Sequence, residues 1–224
     1  MLKNGIKVIN KNGLHYITKD DGKLSTYKPW LGDAFSFLYD FIMQRSIFPK
    51  KFSGDMDRHH QILVNLLKDV HEKRVLELAT GTGSAVNFLP HRNQYTGTDI
   101  SQGLLKKAVT RFRDAAFADA QFYVTRAEDL PFDENQFDII LCILSLNFFD
   151  DLESVIKEVK RVAAPTAVFI CSVPVPERNK CQSTIRGTLL SETALAKQFE
   201  THGFDFETIP VENGALLYFK AIRP

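Results

Sequence analysis

The chain is poor in several residue types and patterns, and each shortage excludes something. It holds one Trp, three Met and three Cys in 224 residues. Cys142, Cys171 and Cys181 cannot all pair, and no C-x-x-C spacing exists for zinc. Reduced thiols in a cytoplasmic protein are therefore expected, with no metal site. No apolar run approaches the roughly 18 residues that a membrane-spanning helix needs. The opening residues Met1-Leu2-Lys3-Asn4-Gly5 carry no apolar core of a secretory signal, so classical secretion is not expected. Charge of one sign is also lacking: 28 Lys and Arg against 27 Asp and Glu leave a formal +1. That argues against a nucleic-acid partner held by a broad basic field. What the chain does have is phenylalanine, 18 residues that with 6 Tyr and 1 Trp make 25 aromatics.

Lys7 to Ile17 reads as a hairpin, with Asn12-Gly13 between two β-rich runs. Asp20-Asp21-Gly22 is a second turn signal. Apolar residues recur at helical spacing from Asp33 to Gln44, and Pro49 is expected to end the stretch beyond Gln44. A helix is predicted from Gly54 or Asp55 to about Val70, burying Ile62, Leu63, Leu66 and Leu67. Beyond residue 72 strands and helices alternate. Strands are predicted at 74–79, 95–99, 121–125, 137–143 and 167–173, and helices from 83 to about 89, 101–113, 150–162 and 191–202. Two β-rich runs, 204–211 and 215–222, close the chain around Glu212-Asn213-Gly214. This pattern predicts an α/β fold: a doubly wound, mostly parallel seven-stranded sheet with an antiparallel C-terminal edge hairpin. Residues 1–71 form a hairpin-plus-helices extension, and 72–224 the main domain, the two expected as one structural unit. Such a sheet binds ligands beyond the carboxyl ends of its strands, which brings the loop Thr80-Gly81-Thr82-Gly83 and Asp99 to one nucleotide-type site.

A dinucleotide fingerprint would require a third small residue where Val86 stands, and a pyrophosphate would be repelled by Glu77. Glu77 suits a ligand that carries a cation, and Asp99 at the tip of the second strand can accept two ribose hydroxyls. S-adenosylmethionine offers both groups. The competing role for Asp99, capping the helix after it, can be filled by Ser101.

The segment from Val75 to about Val173 resembles the class I S-adenosylmethionine-dependent methyltransferases, in the branch of the ubiquinone and menaquinone biosynthesis C-methyltransferases. Val75-Leu-Glu-Leu-Ala-Thr-Gly-Thr-Gly83 is similar to the family's first motif and Tyr95-Thr-Gly-Thr-Asp-Ile-Ser101 to its second. Ala127-Glu-Asp-Leu-Pro-Phe132 with Gln136-Phe-Asp138 is similar to the third, and Cys142-Ile-Leu-Ser-Leu-Asn-Phe-Phe149 to the loop after the fourth strand. The resemblance implies a Rossmann-like fold with S-adenosylmethionine as cofactor. Glu77 would hold the methionine ammonium, and the backbone of Ala79, Thr80, Gly81, Thr82 and Gly83 would line the amino acid and ribose. Asp99 would take the ribose hydroxyls, Ile100 would pack on the adenine, and Ala127 would offer it an N–H beside Glu128. Cys142 and Ile143 would line the methionine end, with Asn147 and Phe148 facing the substrate. Three positions depart from the family pattern: Ala79 stands for the first glycine, Arg126 for an acid that contacts the adenine, and Ala164-Pro165-Thr166-Ala167 for a glycine turn.

Methyl transfer needs alignment more than a base, so no catalytic triad is expected and none is found. His59 and His60, adjacent on a helix, point about 100° apart and suit local hydrogen bonding or solvent better than a shared metal. Residues 27–52 hold eight of the 25 aromatics where even spacing would give about three. They can form an aromatic-lined lid and acceptor pocket, with Trp30 and Tyr39 its leading members, or anchor the N-terminal helices to the sheet. Pro174–Gly187, with Arg178, Lys180 and Arg186, is a second candidate wall or an exposed loop. The expected partner is a small, aromatic or apolar methyl acceptor. A non-catalytic S-adenosylmethionine-binding protein and an NAD-dependent oxidoreductase are the alternatives.

Overall fold

The computed structural model describes residues 1–18, 22–25, 27, 39–117 and 119–224, and the side chains of Tyr39 and Asp40 fall outside it as well. The helix predicted over 33–44 therefore lies partly outside the described residues, as does Trp30. Among the described residues nine strands form one sheet: β1 (Lys7–Lys11), β2 (Leu14–Thr18), β3 (Arg74–Leu78), β4 (Gln94–Asp99), β5 (Gln121–Val124), β6 (Phe137–Ile143), β7 (Ala163–Pro174), β8 (Asp205–Thr208) and β9 (Leu216–Ile222). They are ordered β1-β2-β5-β4-β3-β6-β7-β9-β8. Strands β3 to β7 pair in parallel, and β8 and β9 form the antiparallel edge. The order reverses between β3 and β6, so the loop leaving β3 sits at the switch point.

The seven expected strands are all present, and the N-terminal hairpin adds two more. β1 and β2 pair antiparallel through Asn12 and Gly13, both at positive φ (55° and 80°). β2 then lies parallel to β5, with Leu14 opposite Phe122 and Tyr16 opposite Val124. The hairpin is thus part of the main sheet, because β5 would otherwise present an unpaired edge.

Among the described residues five helices flank the sheet: α1 (Tyr39–Ile42), α2 (Met56–Leu67), α3 (Gln102–Asp114), α4 (Leu152–Val162) and α5 (Glu192–Thr201). Asp55, Ser101, Asp151 and Ser191 cap α2 to α5, each side chain accepting a backbone N–H in the first turn. One face of the sheet packs Val75, Ile139 and Leu141 against Leu63 and Leu67 of α2 and Leu105, Ala108 and Phe112 of α3. The other packs Leu76, Ile140 and Phe169 against Val155, Ile156 and Val159 of α4 and Leu195 and Phe199 of α5. A third cluster joins Phe48, Phe52 and Ile62 to Leu216 and Tyr218 of β9.

Three local expectations are corrected. Pro49 does not end the segment before it: Met43–Phe52 is a continuous π-helical stretch with Pro49 inside. It stops instead at Ser53 in the left-handed region, where Ala215 donates to the Phe52 carbonyl (2.7 Å). After the glycine loop there is only a 3₁₀ turn, Ser84–Asn87, because Pro90 leaves too few residues for a longer helix. β7 begins at Ala163, before the predicted 167, and Thr166 at φ 63° makes the bend that relatives would build with glycine.

Two positions in the loop after β3 carry opposite strains. Gly83 has φ 80°, and a Cβ there would lie 2.8 Å from the Cα and 2.9 Å from the Cβ of Ala108. Gly83→Ala is therefore expected to lower stability by about 2 kcal/mol. Ala79 adopts φ 51° without being glycine. Relief of that strain exceeds the extra chain entropy of glycine, so Ala79→Gly is expected to add roughly 0.5 kcal/mol. Urea unfolding midpoints of both variants check the two signs.

Candidate functional site

The switch point opens into two adjoining cavities that share Ala79, Gly81, Leu144 and Ser145. The first, about 540 Å³, lies over the ends of β4 and β5 and is lined by Asp99, Ile100, Leu104, Arg126, Ala127, Glu128 and Phe148, with Tyr27 at its side. The second, about 620 Å³, lies between β3, α2 and the π-helical segment and is lined by Glu77, Thr80, Thr82, Ile143, Met43, Met56, His59 and His60.

In the first cavity Asp99 is pinned by two backbone donors. Gly81 N–H reaches its Oδ2 at 2.9 Å and Ser101 N–H its Oδ1 at 2.8 Å. The hydroxyl of Ser101, not Asp99, caps α3 by accepting from Leu104 N–H (3.2 Å). The carboxylate is thereby oriented, and each oxygen has further lone-pair capacity for a diol. Ile100 and Phe148 are 39% and 49% exposed, large apolar side chains left uncovered on the walls of one cavity. They suit the two faces of a flat ring. Arg126, at the position of the family's acid, pairs with Glu128 at 3.2–3.3 Å, so Glu128 supplies the acid on this wall.

In the second cavity Glu77 is only 2% exposed. Tyr95 donates its hydroxyl proton to Glu77 Oε2, and Thr80 Oγ1 lies 3.2 Å from the Tyr95 oxygen. Burial pushes the Glu77 carboxyl up to about 8, with the Asp99 charge adding and the Tyr95 and Thr80 hydrogen bonds opposing. A buried carboxyl of this kind is neutral near pH 7 until a cation arrives to compensate its charge. The buried carboxyl of Glu77 and the oriented carboxylate of Asp99 thus stand in two cavities that meet at Ala79 and Gly81, with Ile100 and Phe148 on the walls of the first.

Not every predicted site residue is brought here. Cys142 faces away: successive residues of a strand point to opposite faces, so Ile143 lines the second cavity while Cys142 packs beside Cys171 under α4. Asn147 is also displaced. It is buried, donates from Nδ2 to the Arg186 carbonyl (2.7 Å), and accepts Thr188 N–H on its own carbonyl (2.7 Å). It anchors the 186–188 loop and borders neither large cavity. Gly83 serves packing against α3. No residue of 174–187 lines either cavity, and Arg178 instead donates to the carbonyls of Val211 (2.9 Å) and Leu216 (3.1 Å). Trp30 lies outside the described residues, and so does the Tyr39 side chain.

Only part of the aromatic-rich stretch lies among the described residues. Tyr27 lines the first cavity, whereas Phe48 and Phe52 are core anchors. The residue that sequence reasoning undervalued is His59. It is 2% exposed and hydrogen-bonds Tyr218 Oη through Nδ1 at 2.8 Å. The signal was present: 59, 62, 63, 66 and 67 form one helical stripe, so His59 shares the buried face of α2.

Comparison with known proteins agrees with this geometry. Residues 76–171 match the family model described as methyltransferase domain. The chain is 33% identical over 131 residues to a demethylmenaquinone methyltransferase of Thermotoga maritima, covering 56% of this chain and 55% of that protein. It is 35% identical over 127 residues to the ubiquinone/menaquinone biosynthesis C-methyltransferase UbiE of Desulfotalea psychrophila, covering 55% and 50%. The chain thus spans about half the length of the curated relatives it matches. A solved structure from Thermotoga maritima, described as a SAM-dependent methyltransferase and possible histamine N-methyltransferase, superposes with a TM-score of 0.63 at 19% identity, covering 86% of this chain and 98% of that one. In motifs, matched domain and fold, the chain resembles the class I S-adenosylmethionine-dependent methyltransferases of the ubiquinone and menaquinone branch.

Proposed function

We propose that the chain is a cytoplasmic S-adenosylmethionine-dependent methyltransferase whose acceptor is a small aromatic or apolar molecule of the quinol type. The observation that carries the reading is the pairing of a buried, neutral carboxyl at Glu77 with an oriented carboxylate at Asp99, on opposite sides of the shared wall at Ala79 and Gly81. A dinucleotide fingerprint would need a small residue where Val86 stands, which disfavours an oxidoreductase.

When bound, the cofactor supplies an activated methyl group on a positively charged sulfur. The chain's contribution is placement. Asp99, Ile100 and Phe148 hold the nucleoside, and Glu77 holds the ammonium. Leu144 and Ser145, common to both cavities, set where the methyl group meets its acceptor. Met43, Met56, Ile143 and Leu144 give the acceptor side an apolar portion that suits a ring, among polar side chains that include Gln44, Asp57 and His60. Alignment of this kind can supply much of the acceleration. The names of the two curated relatives, which act in menaquinone and ubiquinone synthesis, support a quinol-type acceptor.

Two measurements test the reading. Calorimetry with S-adenosylhomocysteine should give binding that Asp99→Ala weakens about 30-fold, the loss of roughly 2 kcal/mol of charge-assisted hydrogen bonding. NAD should give no binding, and binding of NAD alone would overturn the proposal. The second concerns protons. With a folded value of about 8, Glu77 is mostly protonated at pH 7, and a bound ammonium draws it to the ionised form. Ligand binding at pH 7 should therefore release close to one proton, about 0.9 on that value, read from the buffer dependence of the binding enthalpy. Glu77→Gln should release none, and equal release in the variant contradicts the assignment.

A further inference from the structure

A chain of hydrogen bonds runs from the backbone at the start of α2 to one wall of the second cavity, and the direction of every proton in it can be worked out. It begins at a donor with no ambiguity: Asp55 N–H points at Asn213 Oδ1, 2.7 Å away. That fixes the side-chain amide, so Asn213 Nδ2 faces the other way and donates to the Asp55 carbonyl (2.9 Å) and to Tyr218 Oη (3.2 Å). Tyr218 is fully buried, and its oxygen now accepts from Asn213. Its own proton needs an acceptor, and His59 Nδ1 stands 2.8 Å away. The reverse arrangement, with Nδ1 carrying the proton, would leave a buried phenol proton unsatisfied, at a cost of about 1–3 kcal/mol. The proton of a neutral His59 therefore sits on Nε2.

That nitrogen has no partner among the described residues, although His59 is 2% exposed and forms part of the cavity wall. Phe48 packs 5.1 Å from the imidazole, ring to ring, and holds its plane. Met43, Met56, Ile143 and Leu144 give this cavity an apolar portion, beside the polar side chains of Gln44, Asp57 and His60.

We propose that His59 Nε2–H is the donor that orients the methyl acceptor, by holding a hydrogen-bond-accepting oxygen on an otherwise apolar ring system. This rests on the methyltransferase reading for the identity of the ligand, but the direction of the relay does not. It narrows the acceptor class to a phenol, enol or ring carbonyl whose oxygen lies beside the methylated atom. It also assigns His59 to positioning rather than proton removal. Burial, with the neighbouring His60 adding, pushes the imidazole down to about 3, too weak a base to take a proton near pH 7. Burial likewise pushes Tyr218 up to about 12, countered by Asn213, Arg58 and Arg178, so the phenol keeps the proton that it donates.

The test is ¹⁵N NMR of the full chain labelled at the histidine rings. The expected spectrum has His59 Nδ1 bare and Nε2 protonated, with no change between pH 8 and pH 5. A ring protonated at Nδ1, or one that titrates in that range, overturns the relay. Tyr218→Phe should convert the single tautomer to a mixture, and an unchanged tautomer contradicts the role of Tyr218. Phenol, titrated with and without S-adenosylhomocysteine, should move the Nε2 resonance, and toluene should not; equal or absent shifts overturn the oriented-oxygen assignment. His59→Phe should weaken phenol binding about tenfold, a loss of about 1.4 kcal/mol. His59→Gln, whose amide N–H can replace the donor, should restore most of it, and equal loss in both variants counts against a donor role. Calorimetry with S-adenosylhomocysteine alone separates the two ideas, since its failure to bind would remove the methyltransferase reading while leaving the tautomer result in force.

Discussion

The site depends on one carboxyl group that is expensive to bury. Glu77 lies on the central strand with its side chain closed off from water, and its charge is compensated by no basic side chain within hydrogen-bonding reach among the described residues. Burial favours its uncharged form, while the hydroxyl donors around it favour the ionised one, so the carboxyl is held between the two. Tyr95 reaches it from β4, and that ring is in turn stacked on Phe112 of α3 at 4.1 Å and packed near Phe122 of β5 at 5.9 Å. Thr80 and Thr98 both donate to the Glu77 carbonyl, at 3.2 and 3.0 Å, tying the end of β3 to the loop and to β4. The polar cost at Glu77 is thus offset by an aromatic and hydroxyl shell that also fixes the glycine loop. On the proposed function a ligand cation would turn the same carboxyl from a liability into an attraction.

Much of this is legible in the sequence because it is carried by local patterns. The alternation of strands and helices after residue 72 specifies the parallel sheet, and Asp99, Glu77 and the glycine loop stand out by their places at strand ends. What is not legible depends on contacts distant in sequence. Nothing local in residues 7–18 says that the hairpin will extend the sheet beside β5, since that pairing joins residues about a hundred positions apart. Cys142 falls on the wrong face because a motif resemblance gives a position in a loop or strand, whereas a one-residue step in a strand decides the face. Asn147 departs for another reason: its side chain is recruited by the 186–188 backbone, a partner no periodicity reveals. His59 can be found by its own helical stripe. Its hydrogen bond to Tyr218 is one of the two outcomes expected for it, but the partner lies 159 positions away and no local pattern names it.

The phenylalanine excess has a similar resolution. Its concentration before residue 53 suggests a lid, yet many rings elsewhere fill two core clusters. Phe112, Phe117 and Phe122 surround Tyr95 on one face, and Phe169, Phe199, Phe204, Phe206 and Phe219 pack together on the other. The first cluster supports the partner of Glu77 and so belongs indirectly to the site. Among the described residues aromatic abundance is mainly a packing device, with Tyr27, Phe148 and Phe149 as rings that border the first cavity.

The two N-terminal pieces act on different halves of the site, and this explains why they are separate. The hairpin lies against β5, and Tyr16 donates to Gln102 at the start of α3 at 3.2 Å, so it braces the strand ends that carry Asp99 and Thr125. The π-helical segment and α2 contact instead the far edge of the sheet, through Phe52 to Ala215 and Asp55 to Asn213. They supply Met43, Met56, His59 and His60 to the second cavity. The first cavity is therefore flanked by the parallel core and its edge hairpin, and the outer wall of the second by segments clamped to the antiparallel edge. On the proposed function a change at Met43, Met56 or His59 would act on the acceptor, although Glu77 in the same cavity ties that side to the cofactor. Acceptor choice would then be divided between these segments, which lie outside the matched methyltransferase domain of residues 76–171, and Ile143 and Leu144, which lie within it.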